Sequence, residues 1–294
     1  MRKYFCDYVK RYDETARESL VNAFDLVCSD DFLNLVQAYS DNINFDYKSC
    51  MTRVSEIGEK VGVHEYQSKF VYCLCLTEKM KEYYVERGYS EEFFDDNIKD
   101  FDYKLEECKL VKGIYGTFCP EWFEGHFKLT RFKLGRLQFE IKRLNDFIPG
   151  IAQYEKGDLF LDGNSPMINV HIPRSGERLD EDLVKDAFSR ANTFYRREFK
   201  NRPVVFCCES WLLYPRNAEL MKEGSNLKKF YDLFDIVASG EYDTYQDCWR
   251  LFDMDYTGSV DDLPGDSSLR RAYKELMKKG EKTGWGFGIH IYEK

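Results

Sequence analysis

The sequence predicts an α+β protein, with an all-helical part over residues 1–113 followed by a mixed part of strands and helices over residues 114–294. Before Gly113, apolar residues recur at helical spacing in one stretch after another. Gly113, Gly116 and Pro120 then break that spacing. Beyond them, short runs of alternating apolar and polar residues surround one long amphipathic stretch, the pattern of a sheet with helices laid on it.

Each element has its own signal. Leu20, Val21, Phe24, Val27 and Cys28 fall on one face of a helix over Thr15–Ser29. A second helix starts at Asp30-Asp31, with Phe32, Leu35, Val36 and Tyr39 as its stripe. Tyr47–Lys60 carries a weaker pattern, and Glu65–Arg87 a strong one through Tyr66, Phe70, Cys73, Leu74, Met80 and Tyr84. Gly88 suits a left-handed cap, and Ser90 suits an N-cap with Glu91 and Glu92 in the first turn. A short helix is expected over Trp122–Phe127, and then one alternating run over Phe132–Ile141. Pro149-Gly150 reads as a turn before Ala152–Tyr154, with further strands at Asp158–Leu161 and Met167–Ile172. Asp180–Phe199 is amphipathic through Leu183, Val184, Ala187, Phe188, Ala191, Phe194 and Tyr195. Val204–Leu213 is apolar enough for a strand covered on both faces. Asn226–Leu233 and Ser267–Lys279 read as helices, Phe234–Ala238 as extended, and Gly284–Tyr292 as the last strand.

Composition narrows the function classes. The 294 residues give room for two domains, and 43% hydrophobic with 32% charged residues describes a folded chain. Aromatic residues reach 16%, ample core material. A net charge of −9 removes the general electrostatic footprint of a nucleic-acid binder. No apolar run follows the basic residues of Met1–Tyr12, and none elsewhere is long enough for a bilayer, so neither a signal peptide nor a membrane partner is expected. The ten cysteines, including Cys73, Cys75 and the adjacent Cys207-Cys208, form no disulfide framework. Reduced thiols in a cytoplasm are their simplest account. No metal is expected, because there is no C-x-x-C pair and the four histidines lack ligand spacing. Asp253-Met-Asp-Tyr-Thr-Gly258 imitates only the start of a calcium loop and reads as solvated.

Five ordered stretches carry a resemblance. They are Trp122, His126 and Arg131–Glu140; His171-Ile-Pro173 with Gly176 and Leu179; Cys208–Leu213 with Pro215; Ser225–Phe230; and Leu263-Pro264 with Leu269–Arg271 and Gly284, Gly286 and Gly288. In order and spacing they resemble bacterial two-domain proteins with a helical N-terminal part and a GNAT-like C-terminal domain, described as acyltransferases. The resemblance runs from about Gly88 to the end. It implies a GNAT-like domain with a central, mostly antiparallel sheet, acyl-CoA as co-substrate, and an acyl donor and an amine acceptor as small-molecule partners.

That resemblance makes Met167–Pro173 and Val204–Leu213 two parallel strands that splay around the pantetheine. The loop after the first strand then holds the pyrophosphate, through Ile172, Arg174, Ser175, Gly176 and Arg178, at a helix N-terminus. This loop departs from the superfamily pattern in having Gly176 as its only glycine. The helix after it opens with Asp180, Glu181 and Asp182, charges expected to repel a phosphate. That motivates an alternative reading: a non-catalytic ligand-binding or interaction protein on a GNAT-like fold. For catalysis, His171 is the candidate base, with Glu140 and Ser210 as further candidates. The bland readings are a structural histidine, a surface carboxylate and a packed hydroxyl. Gln138 either orients a ligand or satisfies neighbouring backbone groups. Cys207 and Cys208 raise a thiol-nucleophile alternative, against the commoner buried, inert cysteine.

Overall fold

The computed structural model describes residues 1–147, 153–200 and 202–292; the turn expected at Pro149-Gly150 lies outside them. The chain divides into two compact units, Met1–Arg131 and Phe132–Lys294.

The first unit is helical: α1 (Arg2–Tyr8), α2 (Glu14–Val27), α3 (Asp30–Asp41), α4 (Tyr47–Lys60), α5 (Glu65–Glu86), α6 (Glu91–Lys112) and α7 (Glu124–Phe127). The capping signals act as expected. Ser90 Oγ accepts from Phe93 N–H, while Gly88 and Gly113 take φ +74° and +73°. Helix α5 is the centre, with Phe70–Leu76 buried. The aromatic stripes make a core of their own, in which Phe5 stacks on Phe24 at 4.5 Å and Phe101 on Phe123 at 4.1 Å.

Residues 114–131 belong to this unit, a difference from the boundary expected at Gly113. Of the glycines that break helical spacing, Gly113 caps α6 and Gly116 serves a dock. A Cβ on Gly116 would come 2.5 Å from the Tyr66 backbone, and Thr117 N–H donates to Tyr66 O at 2.9 Å. Pro120 O then accepts from Tyr47 Oη at 2.8 Å.

The second unit contains β1 (Arg131–Leu134), β2 (Leu137–Arg143), β3 (Gln153–Lys156), β4 (Leu159–Asp162), β5 (Pro166–His171), α8 (Glu181–Phe199), β6 (Val205–Ser210), α9 (Pro215–Leu220), α10 (Asn226–Tyr231), β7 (Asp235–Glu241), α11 (Cys248–Phe252), α12 (Ser268–Lys278) and β8 (Gly284–Ile291). The main sheet has the order β1-β2-β5-β6-β8-β7, and β3-β4 form a small hairpin. The pairs β2–β5, β6–β8 and β7–β8 are antiparallel, and β5–β6 is parallel. The single run expected over Phe132–Ile141 is two strands, because Gly135 at φ +69° turns the chain back.

Helix α8 covers one sheet face, where Phe188 meets Phe206 at 4.6 Å and Phe139 at 6.1 Å. The apolar run expected as one strand over Val204–Leu213 leaves the sheet at Ser210 and becomes a 3₁₀ turn, Trp211–Leu213. That turn explains Gly286, one of the glycines at alternate positions of β8. A Cβ on Gly286 would sit 2.0 Å from Leu213 O. The segment between β7 and β8 builds a second small core from Cys248, Phe252, Leu263, Tyr273, Leu276 and Met277, against which Trp211 packs.

Candidate active site

The site forms on the sheet face opposite α8. In the β2–β5 ladder Gln138 lies opposite His171 and Glu140 opposite Asn169. Residues two apart share a face, so Gln138, Glu140, Asn169 and His171 form one polar patch. His171 Nε2 lies 3.0 Å from Glu140 Oε1, and the side chains are 18% and 6% exposed. Asn169 Nδ2 lies 3.4 Å from the same oxygen and 3.1 Å from His171 Nε2. Lys142 Nζ stands 3.8 Å from Glu140. A charge-assisted N–H···O⁻ bond outweighs a neutral one, so the proton belongs on Nε2 and the basic lone pair on Nδ1. Gln138 is fully buried, and neither its amide nitrogen nor its oxygen has a hydrogen-bond partner. Satisfying neighbouring backbone is therefore not what Gln138 does. Such groups in a fold call for a ligand or a water.

The parallel pair β5–β6 parts beside this patch. Its register covers only Ile168↔Phe206 and Asn169↔Cys207. Beyond those rows the ladder stops, although β5 runs on to His171 and β6 to Ser210, at the carboxyl ends where open sheets take ligands.

The loop from Ile172 to Asp180 follows β5 directly. Ile172 is half-buried at its start, and Gly176 takes φ +76° with nothing within 4 Å of where a Cβ would stand. Arg136, in the β1–β2 turn and 7% exposed, was not foreseen as part of this loop, yet it fastens it. Its guanidinium donates to Pro173 O at 3.0 Å, to Glu177 O at 2.9 and 3.2 Å, and to Arg178 O at 3.1 Å. In a planar trans peptide the next N–H points opposite to the carbonyl. The amides of Arg174, Arg178 and Leu179 are thereby directed away from Arg136. Ser175 Oγ bonds within the loop to Glu177, and Arg174 Nη2 donates to Asp253 Oδ1 at 2.6 Å. Arg178 is exposed.

Of the acids that open α8, Glu181 is compensated by cations. Glu181 accepts from Lys185 at 2.6 Å and Lys229 at 3.0 Å, and these bonds hold its carboxyl down at about 2. Asp180 accepts from Asn226 Nδ2. The repulsion expected at this helix start is reduced at Glu181 by two lysines. Beside it opens a groove of about 1130 Å³ between α8, α10 and the end of β8, lined by Leu179, Lys185, Phe188, Lys229, Phe230 and His290 among others.

Three other sequence candidates are capped or buried, Ser210 and Cys208 on the α8 face and Cys207 opposite Asn169 on the site face. Ser210 falls on the face of Cys208 and Phe206, and its Oγ accepts from Leu212 N–H as the cap of the 3₁₀ turn. Cys207 and Cys208 are both buried, and burial pushes the Cys208 thiol up to about 12 and Cys207 well above its ordinary value. A thiolate nucleophile has no support here. Glu209 lies on the His171 face, exposed, with partial burial raising its pKa. Asn169 and Arg136 were the residues missed. Asn169 was findable, two positions before His171 in a strand, whereas Arg136 reaches residues about forty positions away and gives no local signal.

Among the described residues no group of three His, Cys, Asp or Glu side chains could hold a metal, and no helix is long and apolar enough to cross a membrane. The divided parallel pair, the dyad beside it and the Arg-fastened loop define the class: a GNAT-like domain following a helical domain. Residues 131–290 match the GNAT-like C-terminal domain family, and residues 4–129 match the N-acyltransferase N-terminal domain family. The chain belongs to this two-domain acyltransferase family. Among solved structures, a mutant acyltransferase in complex with octanoyl-CoA is similar at 20% identity and a TM-score of 0.75, over 98% of this chain and 87% of that one. An acyltransferase in complex with decanoyl-CoA and teicoplanin matches at 20% identity and a TM-score of 0.72, with the same coverage. A third, with decanoyl-CoA, matches at 18% identity and a TM-score of 0.63, over 98% and 99% of the two chains. A search of the curated proteins finds no match.

Proposed function

We propose that the protein is an acyl-CoA-dependent N-acyltransferase acting on a small-molecule amine in the cytoplasm. The observation that carries this is the His171–Glu140 dyad at the carboxyl end of β5, where the β5–β6 pairing ends. The site fits the donor. The amides of Arg174, Arg178 and Leu179 face away from Arg136, Arg174 and Arg178 add positive charge, and the orphaned Gln138 amide lies on the same face as the dyad. Acyl-CoA supplies the acyl group as a thioester. His171 Nδ1 takes the proton that the acceptor nitrogen loses as its bond to the acyl carbon forms and the C–S bond breaks. Glu140 holds the ring through Nε2 and balances the charge it gains. The proton then leaves His171 for the departing sulfur. Ser210 is given no part, because its oxygen caps the 3₁₀ turn.

The alternative without catalysis rested on two grounds, a loop with Gly176 as its one glycine and acids repelling phosphate at α8; Lys185 and Lys229 weaken the second by pairing with Glu181. The related acyltransferases solved with octanoyl-CoA and decanoyl-CoA support the choice of donor. Free thiols at all ten cysteines suit a reducing compartment. The test is acyl transfer from acetyl-, octanoyl- and decanoyl-CoA to a panel of amines, read as thiol release. Release that needs both an amine and His171 is expected. Release indifferent to His171→Ala, or none with any donor, overturns the proposal.

A further inference from the structure

We infer that Asp253 is a positioning residue for the donor's phosphates: it holds Arg174 so that the rest of that guanidinium meets the anion. The inference rests on the proposed acyl-CoA reading of the loop.

Asp253 lies far from that loop in sequence, at the C-cap of α11, in the segment inserted between β7 and β8. It takes φ +63° and ψ +20°, a left-handed conformation uncommon outside glycine. Its two carboxylate oxygens are divided between two arginines. Oδ2 accepts from Arg270 Nη2 at 2.6 Å and Oδ1 from Arg174 Nη2 at 2.6 Å. Arg270 is anchored on every nitrogen. Nε donates to Leu251 O at 2.8 Å, and Nη1 reaches Asp266 at 3.0 and 3.2 Å. It is also the less exposed arginine, its side chain 17% exposed against 36% for Arg174. One end of the relay is therefore fixed in the inserted segment, and the other stands at the loop surface. The segment that reads in sequence as a solvated acidic loop works as a support.

The chemistry favours holding over blocking. A guanidinium has five N–H donors in a rigid plane, and the contact to Asp253 is made by one nitrogen. An arginine ordered before its ligand arrives loses less side-chain freedom on binding. Asp253 keeps a second arginine whatever Arg174 does, so the pairing does not depend on withholding Arg174 from an incoming phosphate.

The test is calorimetry on the full chain. CoA is titrated directly, and a phosphate-free acyl-pantetheine is measured by competition. Wild type is compared with Arg174→Ala, Asp253→Asn, Asp253→Glu and the Arg174→Ala/Asp253→Asn pair. Arg174→Ala and Asp253→Asn should each weaken CoA by about tenfold, the scale of one oriented charge-assisted contact. The pair should be no worse than Arg174→Ala alone, since both changes remove one interaction. Asp253→Glu, which keeps the charge, should retain most of the affinity, and acyl-pantetheine should bind all of them alike. Asp253→Asn binding CoA as tightly as wild type, or more tightly, overturns the inference. So does an equal loss for both ligands, which marks a general loosening of the fold. If Arg174→Ala weakens CoA and Asp253→Asn does not, only the role of Asp253 falls. If Arg174→Ala changes nothing, the loop assignment falls with it.

Discussion

His171 takes its chemistry from a neighbour on another strand, Glu140, 3.0 Å away. On this account His171→Ala lowers kcat by about 10²- to 10⁴-fold and leaves CoA affinity unchanged in calorimetry, because the ring moves a proton and does not hold the donor. Glu140→Gln keeps a hydrogen bond but not the charge, so its loss in kcat should be smaller than that of His171→Ala. The cysteines make the opposite prediction. With Cys208 pushed up to about 12 and Cys207 above its ordinary range, both thiols stay protonated at pH 8. Alkylation of the native protein at that pH should spare both, and Cys207→Ala with Cys208→Ala should retain turnover. Peptide mass mapping after labelling checks the first, and thiol release checks the second. The histidine and the carboxylate were each visible in the sequence as plausible acid–base groups. Their partnership was not, because the register that sets Glu140 opposite Asn169 is a property of two strands brought together.

The loop after β5 is shaped by an element that precedes it. Arg136→Met removes a buried guanidinium from the carbonyls of Pro173, Glu177 and Arg178. Stranding these acceptors should cost about 2–4 kcal/mol and weaken CoA binding as the loop loosens. Chemical denaturation and calorimetry measure the two. Asp247, before α11, accepts from Thr283 Oγ1 at 2.8 Å, and burial raises its pKa. A raised carboxyl disfavours the fold when charged, and that cost fades as pH falls through its folded value. Asp247→Asn should therefore raise the melting temperature at pH 7, with the gain shrinking toward pH 4. The helices were legible because caps and periodicity are local: Ser90, Gly88 and the α5 stripe need no knowledge of partners. The β1–β2 hairpin and the exit of the chain at Ser210 were not, since Gly135 sits inside an apolar alternation and Trp211 inside a largely apolar run. The β8 glycines were legible as a pattern but not as a cause, which is a different neighbour at each: Gly240 O at Gly284, Leu213 O at Gly286 and the Phe234 side chain at Gly288.

Over the whole molecule, the sequence pointed to two parts and their order, and the structure moves the division to Arg131 because Gly116 and Thr117 dock on α5. Net charge argued against nucleic acid, but the local charge at α8 could not be read from composition. Only the fold brings Lys229 of α10 onto Glu181. The central claim, that the Arg136-fastened loop binds the phosphates of an acyl-CoA, is tested most directly by calorimetric titration of the purified chain with CoA. The account predicts saturable, single-site binding that is lost when Arg174 and Arg178 are both changed to alanine and kept in His171→Ala. Absence of binding by CoA and every acyl-CoA tried, or binding indifferent to both arginines, would contradict it.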